Sequence, residues 1–210
     1  MADSLRYPVP AARFRAEQVV DRSRFICTVS RAATPEEAHA FVRAMGLEFS
    51  DATHNCWAFI AGAPGSTARI GMSDDGEPHG TAGRPMLTVL LHSGIGEIVA
   101  VVTRYYGGTK LGTGGLVRAY SSAVQAALNV LETRERVEYS AFTVSLSYAL
   151  FSAVQNLLPP FEATISSETF AEDVTLSVRV PRQHLGALRA ALGNATSGQA
   201  VLGDTIDCDE

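Results

Sequence analysis

Residues 102–120, which read VTRYYGGTKLGTGGLVRAY, connect an apolar run to a helical pattern through a glycine-rich turn. The preceding run, 98–103, is almost entirely apolar and shows no polar alternation, which is typical of a strand covered on both faces. After the turn, apolar side chains recur every three or four residues and predict a helix over 115–131. The segment therefore predicts a buried strand that leads through glycines directly into a long helix.

The chemistry of this turn favours an anion. A glycine-rich turn directs consecutive backbone N–H groups outward, and the start of a helix adds about half a positive charge. Arg104, Lys110 and Arg118 reinforce that sign, and no acidic residue occurs between Glu97 and Glu132. A phosphate, a carboxylate or an RNA backbone would each fit a site whose backbone comes from Gly112, Gly114 and Gly115. The alternative is that the glycines serve only a tight, crowded turn.

The turn does not match the established nucleotide-binding motifs. Gly107 and Gly112 have the spacing of a P-loop, but Thr113 and Gly114 follow where Lys and Ser or Thr are required. Gly112 also begins a dinucleotide-binding pattern, which Val117 breaks at the final glycine position. The sequence therefore excludes a P-loop NTPase and a Rossmann enzyme.

A second irregular segment, residues 73–85, reads SDDGEPHGTAGRP. It holds three carboxylates within four residues, those of Asp74, Asp75 and Glu77. Three oxygens on one turn could hold Mg²⁺, and two could share acid–base work. The simpler interpretation is turn chemistry, in which the Asp side chains accept local N–H bonds and the carboxylates pair with Arg104 or Arg118. A loop that contacts a partner is the third possibility.

His54 and Cys56 lie two residues apart next to a predicted strand, 56–60, so their side chains share a face. A Cys–His nucleophile pair needs such proximity, but a buried cysteine beside a hydrogen-bonded histidine is the favoured interpretation. The sequence contains neither a P-C-x-x-C zinc signature nor a G-x-S-x-G serine elbow. We therefore assign no catalytic residue, no metal site and no cofactor.

Composition restricts the class of protein further. The 210 residues, 46% hydrophobic and 19% charged, suffice for one large domain or two small ones with a packed core. No apolar run reaches the length of a membrane span, and residues 1–6 lead into no secretory signal. Three cysteines without C-x-x-C spacing argue against a disulfide framework and a zinc ribbon. A cytoplasmic protein is expected.

The first half of the chain also predicts strands over 14–20 and 23–30 and a helix over 85–91. Between them, Thr34, Pro35 and Glu37 combine an N-cap, a first-turn proline and a capping-box glutamate, and so predict the start of another helix.

The second half shows alternating and helical patterns in turn. Strand patterns over 142–148, 161–168, 174–180 and 199–202 are interrupted by helical spacing over 151–158 and 185–192. This order, β-α-β-β-α-β, predicts a ferredoxin-like fold.

We expect an α+β protein with two domains, residues 1–136 and 137–210. Charge is distributed unevenly between them. Residues 137–210 hold nine acidic and three basic side chains, a net charge of −6, which leaves +1 for residues 1–136 of the whole-chain −5. Glycine is equally uneven, since 13 of the 18 glycines lie between Gly62 and Gly115, and this points to function in the first domain.

Four stretches of the first domain closely resemble the YigZ/IMPACT family, in its bacterial YigZ-like branch. They are SRF at 23–25, ATHNCWA at 52–58, DDGEPHGTAGRPML at 74–87 and the glycine-rich segment 102–120. The resemblance extends roughly from Phe14 to Leu131. One departure is Tyr106, where Phe is expected.

The resemblance implies an N-terminal α/β domain akin to the second domain of a small-subunit ribosomal protein. It implies a C-terminal domain like those of elongation factor G. Eukaryotic IMPACT members regulate translation by competing for a scaffold of an initiation-factor kinase, but they carry an accessory domain that this chain lacks, so that partner does not transfer. The residues that match the motif surface are His54, Asp74, Asp75, Glu77, Arg104, Lys110, Gly112, Gly114, Gly115 and Arg118.

The sequence favours a non-enzymatic, translation-associated binding protein or regulator, whose glycine-rich loop contacts RNA, the ribosome or an acidic protein. An alternative is an enzyme for a phosphorylated or carboxylated small molecule, in which Asp74, Asp75 or Glu77 works with His54. A third possibility is that both motifs are purely structural.

Overall fold

The computed structural model describes residues 6–208. Residues 1–5, which contribute to the expectation of no secretory signal, and the acidic residues 209–210 lie outside that range. Contacts divide the chain into two compact units, one up to Glu135 and the other from Arg136 onward.

The first unit contains one five-stranded antiparallel sheet and three helices. Its strands are β1 (Arg6–Pro10), β2 (Phe14–Val20), β3 (Ser23–Arg31), β4 (His54–Ile60), β5 (Ile70–Ser73) and β6 (Ile98–Tyr105). Its helices are α1 (Pro35–Glu48), α2 (Gly83–Leu91) and α3 (Gly112–Leu128). The sheet order is β2-β3-β6-β4-β5, and β1 pairs separately with β7 (Thr133–Val137).

The central strand β6 is buried along its whole length except at Tyr105, which is half-buried. Helices α2 and α3 pack on one face of the sheet with Met86, Tyr120 and Val124. Helix α1 covers the other face, where Ala38 meets Phe59. The apolar run of β6 is therefore covered on both faces, as the sequence predicted, because each face of the sheet has its own helical layer.

The second unit follows the order β8 (Tyr139–Leu146), α4 (Tyr148–Leu157), β9 (Thr164–Phe170), β10 (Val174–Pro181), α5 (Leu185–Ala195) and β11 (Val201–Leu202). Its antiparallel sheet runs β11-β8-β10-β9, and β12 (Ile206–Cys208) also pairs with β8. Buried alternate residues of β8 and β10 pack against Val154, Leu188 and Leu192 of the helices. The predicted ferredoxin-like β-α-β-β-α-β unit is confirmed, and with it the mixed α+β architecture.

Some element boundaries differ from the sequence predictions. Helix α3 begins at Gly112 and ends at Leu128, three residues earlier at each end than predicted. At its start, glycines that were predicted as a turn form the first turn of the helix despite their low helix propensity, although Gly112 itself has a left-handed φ of +69°. Strands β1, β5, β7 and β12 were not predicted. They are three to five residues long and are defined by their pairing partners rather than by an alternating pattern of their own. Within residues 6–208, no helix combines the length and apolarity needed to cross a bilayer.

Candidate functional site

The candidate site lies around Arg104, near the C-terminal end of β6. Arg104 lies directly opposite His54 on β4 and opposite Phe25 on β3, so all three side chains occupy the face covered by α2 and α3. The side chain of Arg104 is only 6% exposed. Its guanidinium carbon lies 5.5 Å from the ring centre of Phe25 and 5.6 Å from that of Tyr106, within the range of a cation–π contact.

The buried charge of Arg104 is neutralised by Glu77. Arg104 Nη1 donates to Glu77 Oε1, and the Tyr120 hydroxyl donates to the same oxygen at 2.8 Å. The Glu77 side chain is 3% exposed, so the ion pair is removed from water at both ends. His54 Nε2 lies 4.0 Å from Glu77 Oε1. The sequence interpretation that a carboxylate of this loop pairs with Arg104 is thus realised by Glu77.

The carboxylate of Asp74 stabilises the loop that precedes α2. Its two carboxylate oxygens accept the backbone N–H groups of Gly80, Ala82 and Gly83 at 2.8–3.0 Å. Partial burial raises the pKa of Asp74, but these three amide hydrogen bonds outweigh it and hold the pKa below its ordinary value. The Asp74 carboxylate therefore closes the turn that leads into α2.

Asp75 ties the same loop to strand β4. Its Oδ2 accepts the backbone N–H of Asn55 at 2.6 Å, and its carbonyl oxygen accepts a hydrogen bond from His54 Nδ1 at 2.7 Å. That bond leaves His54 Nε2 as the ring nitrogen on the side of Glu77. The three neighbouring carboxylates therefore have three separate structural partners. Among the described residues, no group of three His, Cys, Asp or Glu side chains converges as a metal site.

Cys56 is a core residue. Its thiol donates to the carbonyl oxygen of Asp74 at 2.9 Å and lies 3.3 Å from the Tyr120 hydroxyl. Burial raises the pKa of the Cys56 thiol to about 12, which suppresses the nucleophilic thiolate at neutral pH. Burial also raises the pKa of Tyr120. The favoured interpretation of a buried cysteine, with a hydrogen-bonded histidine two residues away, agrees with this geometry.

The glycines of the turn have different roles. A Cβ on Gly107 would lie 2.0 Å from the backbone of Arg22, so only glycine permits this approach. Gly112, the first residue of α3, has φ of +69°. Gly114 has neither constraint, since the atom nearest to a Cβ at this position would be Arg118 Nη1 at 3.9 Å. The crowded-turn interpretation therefore explains Gly107 and Gly112, and also Gly108 with φ of +85° and Gly115, where a Cβ would lie 3.0 Å from Leu111 Cβ. It leaves Gly114 unexplained.

The start of α3 is open. Leu111 occupies the N-cap position, and no side chain caps the helix there. Lys110 and Arg118 are exposed and, among residues 6–208, make no ion pair within 4.0 Å. The start of α3 therefore has no side-chain cap and lies near two exposed cations, an arrangement that favours an anion.

A cavity of about 410 Å³ lies between this helix start and the buried ion pair. Of the residues that the sequence singled out, it gathers His54, Glu77, Arg104, Lys110 and Gly112. Asp74, Asp75, Gly114, Gly115 and Arg118 do not line it. The sequence did not single out the remaining lining residues, which are Thr53, Pro78, Tyr106, Leu111, Thr113 and Leu116. Only two of them had been named from the sequence, Tyr106 as a departure from the expected Phe and Thr113 as a mismatch to the P-loop pattern.

Comparison with known proteins places the chain in a family. Residues 21–128 match the family model of the Impact N-terminal domain, and residues 144–199 match a domain of unknown function, DUF1949. An IMPACT family member of Haemophilus influenzae is 40% identical over 196 residues, which cover 93% of this chain and 95% of that protein. The IMPACT family member YigZ of Escherichia coli is 40% identical over 194 residues, 92% of this chain and 95% of that protein.

A solved structure, described as the crystal structure of a hypothetical protein, has a similar fold. It has a TM-score of 0.67 and 38% sequence identity, and the match covers 97% of this chain and 98% of that one. Together with the two domain matches and the curated relatives, this similarity over nearly the whole length shows that the chain belongs to the IMPACT family.

Proposed function

We propose that this protein is a cytoplasmic, non-enzymatic binding protein that acts near translation and contacts RNA phosphate at the start of α3. The observation that carries the proposal is the uncapped helix start flanked by Lys110 and Arg118. Backbone amides at a helix start and free cations are the donors that phosphate oxygens accept from. The resemblance of the sequence to translation-regulating IMPACT members supports the association with translation.

The geometry favours binding over catalysis. An enzyme using the 74–77 loop would need carboxylates free to move a proton or hold a metal. Asp74 and Asp75 accept backbone N–H groups instead, and Glu77 is held by Arg104 and Tyr120. These carboxylates therefore serve to shape the site.

The direct test is co-sedimentation with ribosomes and with single-stranded RNA at low salt. Arg118→Glu should abolish binding, because it replaces a cation at the helix start by an anion that repels phosphate. Arg69→Glu is the matched control, since Arg69 is also exposed but lies at the other end of β4, where its carbonyl accepts the N–H of Ala61. A wild-type protein that sediments with neither RNA nor ribosomes would refute the proposal. Binding that survives nuclease treatment would identify a protein partner instead.

Gly114→Ala provides a second test that separates binding from folding. A methyl group at Gly114 meets only the Arg118 guanidinium, so it should raise the free energy of unfolding by about 0.5 kcal/mol through helix propensity. The same methyl group would obstruct an anion that approaches the amides of the first turn. We expect a more stable protein with weaker RNA binding. A variant that gains stability and binds RNA as well as the wild type would contradict a phosphate site at this turn.

A further inference from the structure

We propose that the cavity beside α3 receives an unstacked base of single-stranded RNA, in the nucleotide whose phosphate lies at the start of the helix. This inference rests on the proposed function and specifies its ligand. The cavity volume of about 410 Å³ lies within the range of about 300–1,000 Å³ typical of small-ligand pockets. Its walls include Pro78, Leu111 and Leu116, which offer apolar contact to a flat ring.

Tyr106 supplies a stacking surface. The residue is 47% exposed, although it lines the cavity. The ring is backed by the Arg104 guanidinium, and the Tyr106 backbone N–H donates to Thr53 Oγ1 at 3.0 Å. One region of the ring is thus fixed against the protein while another remains accessible. A fixed, accessible aromatic ring beside cations is the arrangement on which unpaired bases stack.

Polar side chains also line the cavity. Arg104 is one of them, and its buried Nε has no hydrogen-bond partner among the described residues. An N–H without a partner is costly, so a turn of the guanidinium toward an acceptor on the ligand would favour binding. His54 also lines the cavity, and its Nε2 is the ring nitrogen that is not bonded to the carbonyl of Asp75. The edge of a nucleobase carries both acceptors and donors, and therefore matches this lining better than an aliphatic group does.

The cavity and the start of α3 are adjacent, so the base and the phosphate of one nucleotide can occupy them together. Lys110, Gly112 and Thr113 line the same cavity as Tyr106, so a base and its phosphate can be bound side by side. A base within a duplex is stacked on both faces and cannot enter a concave pocket. The cavity therefore selects single-stranded RNA over duplex RNA.

The test is fluorescence anisotropy of the full chain with a short, labelled, uridine-rich RNA, either single-stranded or annealed to its complement. We expect the wild type to bind the single strand about tenfold more tightly, the scale of one stacked base. Tyr106→Ala should lose this preference, whereas Tyr106→Phe, which keeps the ring, should retain it. An oligonucleotide with abasic positions should bind about as weakly as the duplex, and this measurement needs no variant protein.

The outcomes separate this inference from the proposed function. If the single strand and the duplex bind equally and both are lost in Arg118→Glu, the base pocket is refuted while the phosphate site stands. If Tyr106→Ala weakens both RNAs to the same extent, the pocket is likewise refuted. If uridine monophosphate displaces the oligonucleotide at equal nucleotide concentration, the occupant is a free nucleotide and not RNA. If the wild type binds no RNA at all, the proposed function fails and this inference fails with it.

Discussion

At the scale of single residues, Arg104 determines how the site is built. It is a buried cation between two aromatic rings, and Glu77 neutralises its charge. Removing one member of a buried ion pair leaves an uncompensated charge in a region of low dielectric constant. The pair therefore makes the shape of the cavity dependent on a single carboxylate.

Glu77→Gln should lower the free energy of unfolding by about 3 kcal/mol, because Arg104 would remain buried without a counter-charge. The measurement is urea unfolding followed by the fluorescence of Trp57, which is the only tryptophan in the chain. Glu17→Gln is the control, since the Glu17–Arg24 pair has comparable hydrogen bonds but is about half exposed. It should change stability little. Equal effects of the two substitutions on the free energy of unfolding would show that burial of the Glu77–Arg104 pair does not contribute to stability.

The lowered pKa of Asp74 predicts that the stability of the protein depends on pH. Its pKa is lowered in the folded protein, so its carboxylate contributes stability above its unfolded pKa of about 4, and this contribution is lost as pH falls through the folded value. The difference in unfolding free energy between the wild type and Asp74→Asn should therefore stay nearly constant from neutral pH to about pH 5 and shrink as pH falls below about 4. A difference that stays constant with pH would mean that the charge of Asp74 is irrelevant to the loop.

At the scale of secondary-structure elements, α1 and α3 begin in opposite ways. Thr34 Oγ1 accepts the N–H of Glu37, and the Glu37 carboxylate accepts the N–H of Ala33, so α1 is capped in both directions. Helix α3 has no side-chain cap. The first amides of α1 have side-chain acceptors within the protein, whereas those of α3 have none, and the proposed phosphate would supply them.

Thr34→Ala should destabilise the protein by about 1 kcal/mol, because the Glu37 amide loses its acceptor. Thr34→Ser, which keeps the hydroxyl, should be close to neutral. Chemical unfolding of both variants measures the difference. RNA binding should be unchanged in either variant, and a loss of binding in Thr34→Ala alone would link α1 to the site in a way that the hydrogen bonds do not explain.

At the scale of the whole molecule, the distribution of charge limits how RNA can be bound. The chain has a net charge of −5, and residues 137–210 hold more than all of that excess. A long stretch of phosphate contacts is therefore unfavourable, and the proposed contacts are limited to the cations at the start of α3. The protein should bind RNA weakly and locally.

The salt dependence of RNA affinity tests this statement. Each contacted phosphate of a single strand contributes about 0.7 to the slope of log K against log salt concentration, so two contacts predict a slope between about −1 and −2. Lys110→Gln should reduce the magnitude of the slope by about 0.7, and Arg69→Gln should leave it unchanged. A much steeper slope in the wild type would require a larger basic surface than the start of α3 provides.

The sequence predicted the elements with strong local patterns and missed those without them. The apolar run of β6, the cap at Thr34 and the alternation in β10 each involve neighbouring residues, so they were recognised. Strand β5 was missed because its four residues become a strand only by pairing with β4. The same limit applies to the site, since Tyr106 and Leu116 form its wall although neither stands out as a binding residue.

The order of the main helices and strands, the two-unit α+β architecture and the cationic glycine turn were determined by the sequence alone, because periodicity, capping and charge are properties of short segments. Only the tertiary structure decided which carboxylate faces Arg104. Asp74, Asp75 and Glu77 are nearly adjacent in the chain, but the loop directs them to the α2 turn, to β4 and to the buried guanidinium respectively. The physical reason is that such a choice depends on groups brought together from β4, β6 and α3, which no local pattern contains.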